Sequence, residues 1–148
     1  MTNLYHLRRD FMQRFDLPTP THPGLYPDTL PMWENMLHEE MAEFLHALQE
    51  FRQLDGCSAD EQQRRMAELT AEGVDVLNVL TGLLLSQGMP LEAMTEAIHQ
   101  ANLRKQIDGK VVRRADGKIL KPEGWQPADK LGVIRRSTLL RLHNSQPD

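Results

Sequence analysis

The sequence predicts an all-α fold: a helical bundle that carries a small β-hairpin near its C-terminal end. Three observations point there. The apolar residues are mostly Leu, Met, Ala and Val, and aromatics make up only 5%. Apolar residues recur every three or four positions through most of the chain before residue 105. Strand-like runs are confined to Val111-Val112 and Ile119-Leu120, with Ala115-Asp116-Gly117 between them at hairpin spacing. The 148 residues suffice for one domain with a real core. A helical body covers about 1–105 and a hairpin-bearing tail about 106–148.

The elements follow in chain order. Residues 2–16 read as a short amphipathic helix, with Leu4, Leu7, Phe11 and Phe15 at helical spacing. LPTPTHPGLYP then restricts the backbone and removes donors, so it reads as an extended strap. The second helix starts near Asp28 or Thr29, either able to cap it, with Pro31 in its first turn. Its seam is Trp33, Leu37, Met41, Phe44, Leu48 and Phe51. Asp55-Gly56 ends it, and Ser58 with Glu61 forms a capping-box signature for the third helix. That helix, roughly 61–87, is apolar nearly all round from Val74 to Leu85, which predicts burial on most sides and contact with a second subunit. Gly88-Met89-Pro90 stops it. Pro90 starts a fourth helix with Leu91, Met94, Ile98 and Ala101 inside. A last helix is expected over Leu131 to Leu142, packing through Leu131, Ile134, Leu139 and Leu142.

Charge is uneven along the chain. Through residue 102 there are 6 Lys+Arg against 16 Asp+Glu, and beyond it 11 against 5, so −10 and +6 sum to the net −4. The acidic part suits metal ions and the basic part an anion. The single cysteine, Cys57, excludes an intrachain disulfide and a cysteine-built zinc site. No uninterrupted run of about 18 apolar residues occurs, so no membrane span is expected. The first residues lack a signal-peptide core, so a cytoplasmic location is expected.

The carboxylates of the two middle helices need explaining. Each helical residue advances by about 100°. Trp33, Phe44 and Phe51 fall within roughly 40° of Glu40, so Glu40 points into the apolar seam. Glu43 flanks it at about 60°, and Glu39 sits about 100° away at the seam edge. Val76, Val79 and Leu83 fall within roughly 40° of Glu72, with Asp75 about 60° away. Solvated surface acids account for Glu34, Glu50, Glu61 and Glu96 but not for Glu40 and Glu72, which interrupt two seams. Arg64 and Arg65 lie about two turns before Glu72 and cannot neutralise it locally. Clustered carboxylates repel unless a cation joins them, and all-oxygen ligation suits Mg²⁺ or Mn²⁺, with more than one ion per site.

The pattern E-E-x-x-E followed by E-x-x-D on the next helix resembles the all-α nucleoside triphosphate pyrophosphohydrolases. These include the MazG-type enzymes, the dimeric dUTPases and the phosphoribosyl-ATP pyrophosphohydrolases. Glu39, Glu40 and Glu43 match the first motif, and Glu72 and Asp75 the second. The tail is similar too: Asn102-x-x-Lys105, then DGKVVRRADGKILKPEGW. The likeness runs from about Phe11 to Asp129. It implies an intertwined homodimer in which Mg²⁺ ions held by the five carboxylates bind a nucleoside triphosphate. Water then attacks the α-phosphorus, giving a monophosphate and pyrophosphate. Glu39 or Glu40 would take the proton, and Asn102, Lys105, Lys118 and Lys121 would hold phosphate outside the metal shell. dUTP is the favoured substrate on this resemblance, in a house-cleaning role, with phosphoribosyl-ATP as the alternative. What reads the base is not written in the motifs, and a pocket between the first helix, the strap and Trp33 is one candidate.

Two other readings fit less well. Glu43/His46 and Glu96/His99 are E-x-x-H pairs of the kind used by di-iron carboxylate bundles, but His46 lies about 120° from Glu40 on the polar side. A nucleic-acid binder is disfavoured by the net negative charge and by the lack of a reading helix.

Overall fold

The computed structural model describes residues 3–144, with side chains to residue 138. The described residues form five helices: α1 (Leu4–Arg14), α2 (Leu30–Phe51), α3 (Ala59–Ser86), α4 (Leu91–Leu103) and α5 (Lys130–Asn144). The all-α expectation holds. Two compact units, residues 1–89 and 90–148, are each described by themselves.

In the first unit α2 and α3 pack along their lengths and α1 packs on α3. The core is Met12, Trp33, Val79 and Leu85, with Tyr5, Leu17, Met36, Leu37 and Leu83 against it. The Trp33 indole packs directly against Gly82, where any Cβ would overlap the ring. Trp33 is 1% exposed, so it is a core residue rather than the wall of a base pocket. The expected α1 face is reversed. Met12 is buried while Leu4, Leu7, Phe11 and Phe15 stand exposed. Helical spacing marks a stripe, but packing against α3 selected the face of Tyr5, Arg8 and Met12 instead.

The strap has a clear anchor. The buried Gln87 side chain accepts from the Tyr26 amide at 2.9 Å and donates to the Tyr26 carbonyl at 3.0 Å. The Gly24 amide donates to the Gln87 carbonyl. Gly88 follows at φ +64, and a Cβ there would collide with the His22 carbonyl. A residue-wide gap at Gly88 therefore lets the strap close over the end of α3.

The start of α3 differs from a full capping box. Ser58 Oγ accepts from the Glu61 amide at 3.2 Å. The Glu61 carboxylate, however, binds Arg64 and Arg65 instead of reaching back to Ser58. Arg65 also donates to the carbonyls of Glu50 and Gln53, satisfying the end of α2. Thr29, at the N-cap of α2, makes no side-chain cap bond. The apolar stretch of α3 is buried only on one side: Val79 and Leu85 are inside, while Val74, Leu77 and Leu80 are 40–45% exposed. By length and composition α3 is also apolar enough to cross a membrane, because mean hydropathy averages over the polar interruptions at Asn78 and Thr81.

In the second unit α4 packs with α5. Asp129 Oδ1 accepts from the Gly132 amide at the start of α5. Val133 is the buried residue there, and Leu131 is exposed. The side chains of Leu139 and Leu142 lie outside the described residues. No strand forms among the described residues. Between α4 and α5 the pairing reduces to the isolated bridges Ile107–Lys110 and Arg113–Ile119, with Leu120 donating to the Val112 carbonyl. Trp125 Nε1 donates to the Ala101 carbonyl at 2.7 Å and ties this segment to α4.

The Arg64 and Arg65 guanidiniums pull the Glu61 carboxyl down to about 2. A carboxyl lowered in the fold stabilises it above its unfolded value and loses that contribution as pH falls through the folded value. The wild type should therefore lose stability between pH 4.5 and about 2 more steeply than Glu61→Gln, measured by urea denaturation across that range.

Candidate metal centre

The α2–α3 packing brings Glu40, Glu43 and Glu72 together. One carboxylate oxygen of each lies within 4.8 Å of the others. Glu40 and Glu72 are half-buried and Glu43 is exposed, as the helical phases require. Asp75 is close enough for its charge to act on both Glu40 and Glu72, though it is outside the convergent trio. Glu39 is exposed at the edge and acts on Glu40 only through its charge.

The electrostatics are those of crowded acids. Burial, then the charges of Glu43, Asp75, Glu72 and Glu39, raise the Glu40 carboxyl above the usual range. Burial, then Glu43, Asp75 and Glu68, do the same to Glu72. Glu72 Oε2 is buried and has no hydrogen-bond partner. An orphaned carboxylate oxygen facing other carboxylates fits a hard divalent cation, since such ions take oxygen ligands and remove the repulsion. The trio contains no histidine, so it lacks the imidazole donors a di-iron carboxylate site would use.

Two charged residues that the motifs did not reveal also belong to this neighbourhood. Glu68, one turn before Glu72, adds to its field. Arg8 on α1 has its guanidinium 4.5 Å from the Phe11 ring centroid and 5.5 Å from that of Trp33, and Asp75 acts on it. Helical phase places Arg8 on the Tyr5–Met12 face, so the signal was present once that face was known to turn inward. Beside the trio, Glu43 and Glu72 also border a cleft of about 440 Å³ with His46, Glu50, Arg65 and Glu68. His46 thus lines this cleft without joining the convergent carboxylates.

The expected phosphate-binding residues lie in the second unit. Asn102 is exposed in the last turn of α4. The Lys105 and Lys121 ammonium groups sit 5.5 and 5.0 Å from the Trp125 ring centroid. Lys118 is exposed, and its amide donates to Asp116.

The family model for phosphoribosyl-ATP pyrophosphohydrolase matches residues 8–102, more than half of the chain. The chain belongs to the phosphoribosyl-ATP pyrophosphohydrolase family. It is thereby a member of the all-α nucleoside triphosphate pyrophosphohydrolase superfamily. No curated protein matches the chain significantly. The family match contains all five motif carboxylates and ends on Asn102, so Lys105, Lys118 and Lys121 fall outside it. Membership in the phosphoribosyl-ATP pyrophosphohydrolase family implies pyrophosphohydrolase activity on a phosphoric anhydride.

A carboxyl raised in the fold contributes stability below its unfolded value and loses it as pH rises through the folded value. At pH 7, without metal, Glu72 therefore strains the fold. Glu72→Gln is expected to melt a few degrees higher than wild type in EDTA, read by scanning calorimetry.

Proposed function

We propose that the protein is a divalent-metal-dependent pyrophosphohydrolase that cleaves a nucleoside triphosphate, or phosphoribosyl-ATP, to a monophosphate and pyrophosphate. The observation that carries this reading is the convergence of Glu40, Glu43 and Glu72, with the orphaned Glu72 Oε2 among them, inside the family match. Glu40, Glu43 and Glu72 would hold Mg²⁺ or Mn²⁺, with Asp75 and Glu39 completing the shells. Held there, such an ion would supply a water of lowered pKa and would offset charge developing on phosphate. The chain's own work is then positional and acid–base. Glu39 or Glu40 accepts the proton from the water as it attacks the α-phosphorus, and the bond to the bridging oxygen of the β-phosphate breaks. By the family resemblance, Lys105, Lys118 and Lys121 would neutralise phosphate oxygens and the Asn102 amide would hydrogen-bond to one.

The family match favours phosphoribosyl-ATP as substrate at least as well as dUTP. dUTP rests on the tail, DGKVVRRADGKILKPEGW, which the family match does not cover. The deciding measurement is release of pyrophosphate and monophosphate from phosphoribosyl-ATP, dUTP and the common NTPs with Mg²⁺. Turnover of at least one is expected, and Glu40→Ala or Glu72→Ala should lower it by about a hundredfold or more while the helical signal survives. A wild type inert toward every substrate, or both variants fully active, would sink the reading.

A homodimer belongs to the same proposal. Met66, Val74, Leu77 and Leu80 share the outer face of α3 and remain 40–45% exposed. That row is large enough to call for a partner surface, and a second copy presents the same row. Sedimentation should give twice the chain mass for wild type and a smaller species for Leu77→Glu.

A further inference from the structure

The second unit gathers two lysine ammonium groups on one aromatic ring. Lys105 Nζ lies 5.5 Å and Lys121 Nζ 5.0 Å from the Trp125 ring centroid. The two reach it from different elements. Lys105 follows the last turn of α4, and Lys121 immediately precedes a turn in which the Trp125 amide donates to the Pro122 carbonyl. The ring itself is fixed. Trp125 Nε1 donates to the carbonyl of Ala101, one turn before Lys105, and Arg104 donates to the carbonyl of the next tail residue, Gln126. These bonds hold the turn against the end of α4 and bring both lysines to the indole. Lys118, the third lysine expected to hold phosphate, makes no ring contact among the described residues.

No acid answers these charges. Among the described residues neither lysine forms an ion pair, and the exposed Glu123, inside the turn, pairs with neither. The ring attracts each ammonium group, but the two repel each other. An anion that bridges them removes the repulsion and uses both. Its chemistry follows from the spacing. Ammonium groups meet phosphate oxygens as point charges with freely turning donors. Both lie within 5.5 Å of one point, so they stand no further apart than a diphosphate can bridge with a charge-assisted bond of about 2.8 Å at each end. A lone phosphate spans less. We propose that Trp125 is a positioning residue that gathers Lys105 and Lys121 into a metal-independent binding site for a diphosphate group. Its purpose rests on the pyrophosphohydrolase reading above: the group held is the one that leaves as pyrophosphate.

The test uses the full chain in EDTA, with inorganic pyrophosphate and inorganic phosphate as probes and titration calorimetry as the readout. Pyrophosphate should bind without metal, and about tenfold or more tightly than phosphate. Lys105→Gln and Lys121→Gln should each weaken pyrophosphate binding about tenfold, as expected for one charge-assisted hydrogen bond. Trp125→Leu should weaken it by a similar factor, and Trp125→Phe, which keeps a ring without the N–H, by less. Because Trp125 acts through the lysines, Trp125→Leu should cost less in a Lys121→Gln background than in wild type. No pyrophosphate binding in EDTA, equal affinity for the two probes, or lysine variants that bind as tightly as wild type overturns the inference. Unchanged binding in Trp125→Leu, or losses that simply add, overturns it too and leaves Trp125 a packing residue. If Trp125→Leu does not fold, Trp125→Phe takes its place in both comparisons. A wild type that cleaves nucleotides but binds no pyrophosphate in EDTA overturns the inference alone. A wild type that binds pyrophosphate through both lysines and cleaves no nucleotide overturns the pyrophosphohydrolase reading and leaves the site standing.

Discussion

Like-charge crowding between α2 and α3 is the constraint on which the rest of this structure depends. Glu40, Glu43 and Glu72 converge on the same helix pair that must also build the core. The two helices can stay packed because Trp33, Val79 and Leu85 form a core further along the same pair. The Trp33–Gly82 contact matters for this reason. A large flat ring against a bare backbone brings α2 and α3 close enough for their acids to meet. The same closeness raises the proton affinity of Glu40 and Glu72, which makes them poor surface acids and good partners for a cation.

The cations around this centre have other partners. Arg64 and Arg65 are committed to Glu61 and to the α2 terminus, so they brace the helix pair instead of relieving the trio. Arg8, on α1, lies against the Phe11 and Trp33 rings. The strap is fastened to the other end of α3 through Gln87, well removed in sequence from the motif acids. A rigid bundle thus presents an under-neutralised acidic patch. Local strain of this kind is retained in proteins where a ligand relieves it.

The outer surfaces carry a second tension. Exposed apolar residues on α3 and the Leu4, Leu7, Phe11 and Phe15 stripe of α1 leave the first unit with more open apolar surface than its own core absorbs. The basic stretch beyond residue 102 has the opposite character, with Lys105 and Lys121 both close to the Trp125 ring. Both features describe surfaces suited to meeting other molecules, one apolar and one anionic.

Much of this was legible in residues alone. Helical periodicity located all five helices, and phase angles placed Glu40 and Glu72 inward and Glu39 at the edge, because a helix has fixed geometry whatever it packs on. The family motifs were legible for the same reason, since spacing along one or two helices is local information. Three things were not local. The α1 stripe turned outward because α3 offered a better fit to Met12 than to Phe11. The hairpin shrank to isolated bridges because short runs flanked by glycines pair at single points without building a ladder. Arg8 came within reach of the charge of Asp75 only when α1 packed on α3. The sequence by itself determined which residues could face one another along a helix. The tertiary structure decided which faces met, because that depends on the shapes of side chains far apart in the chain.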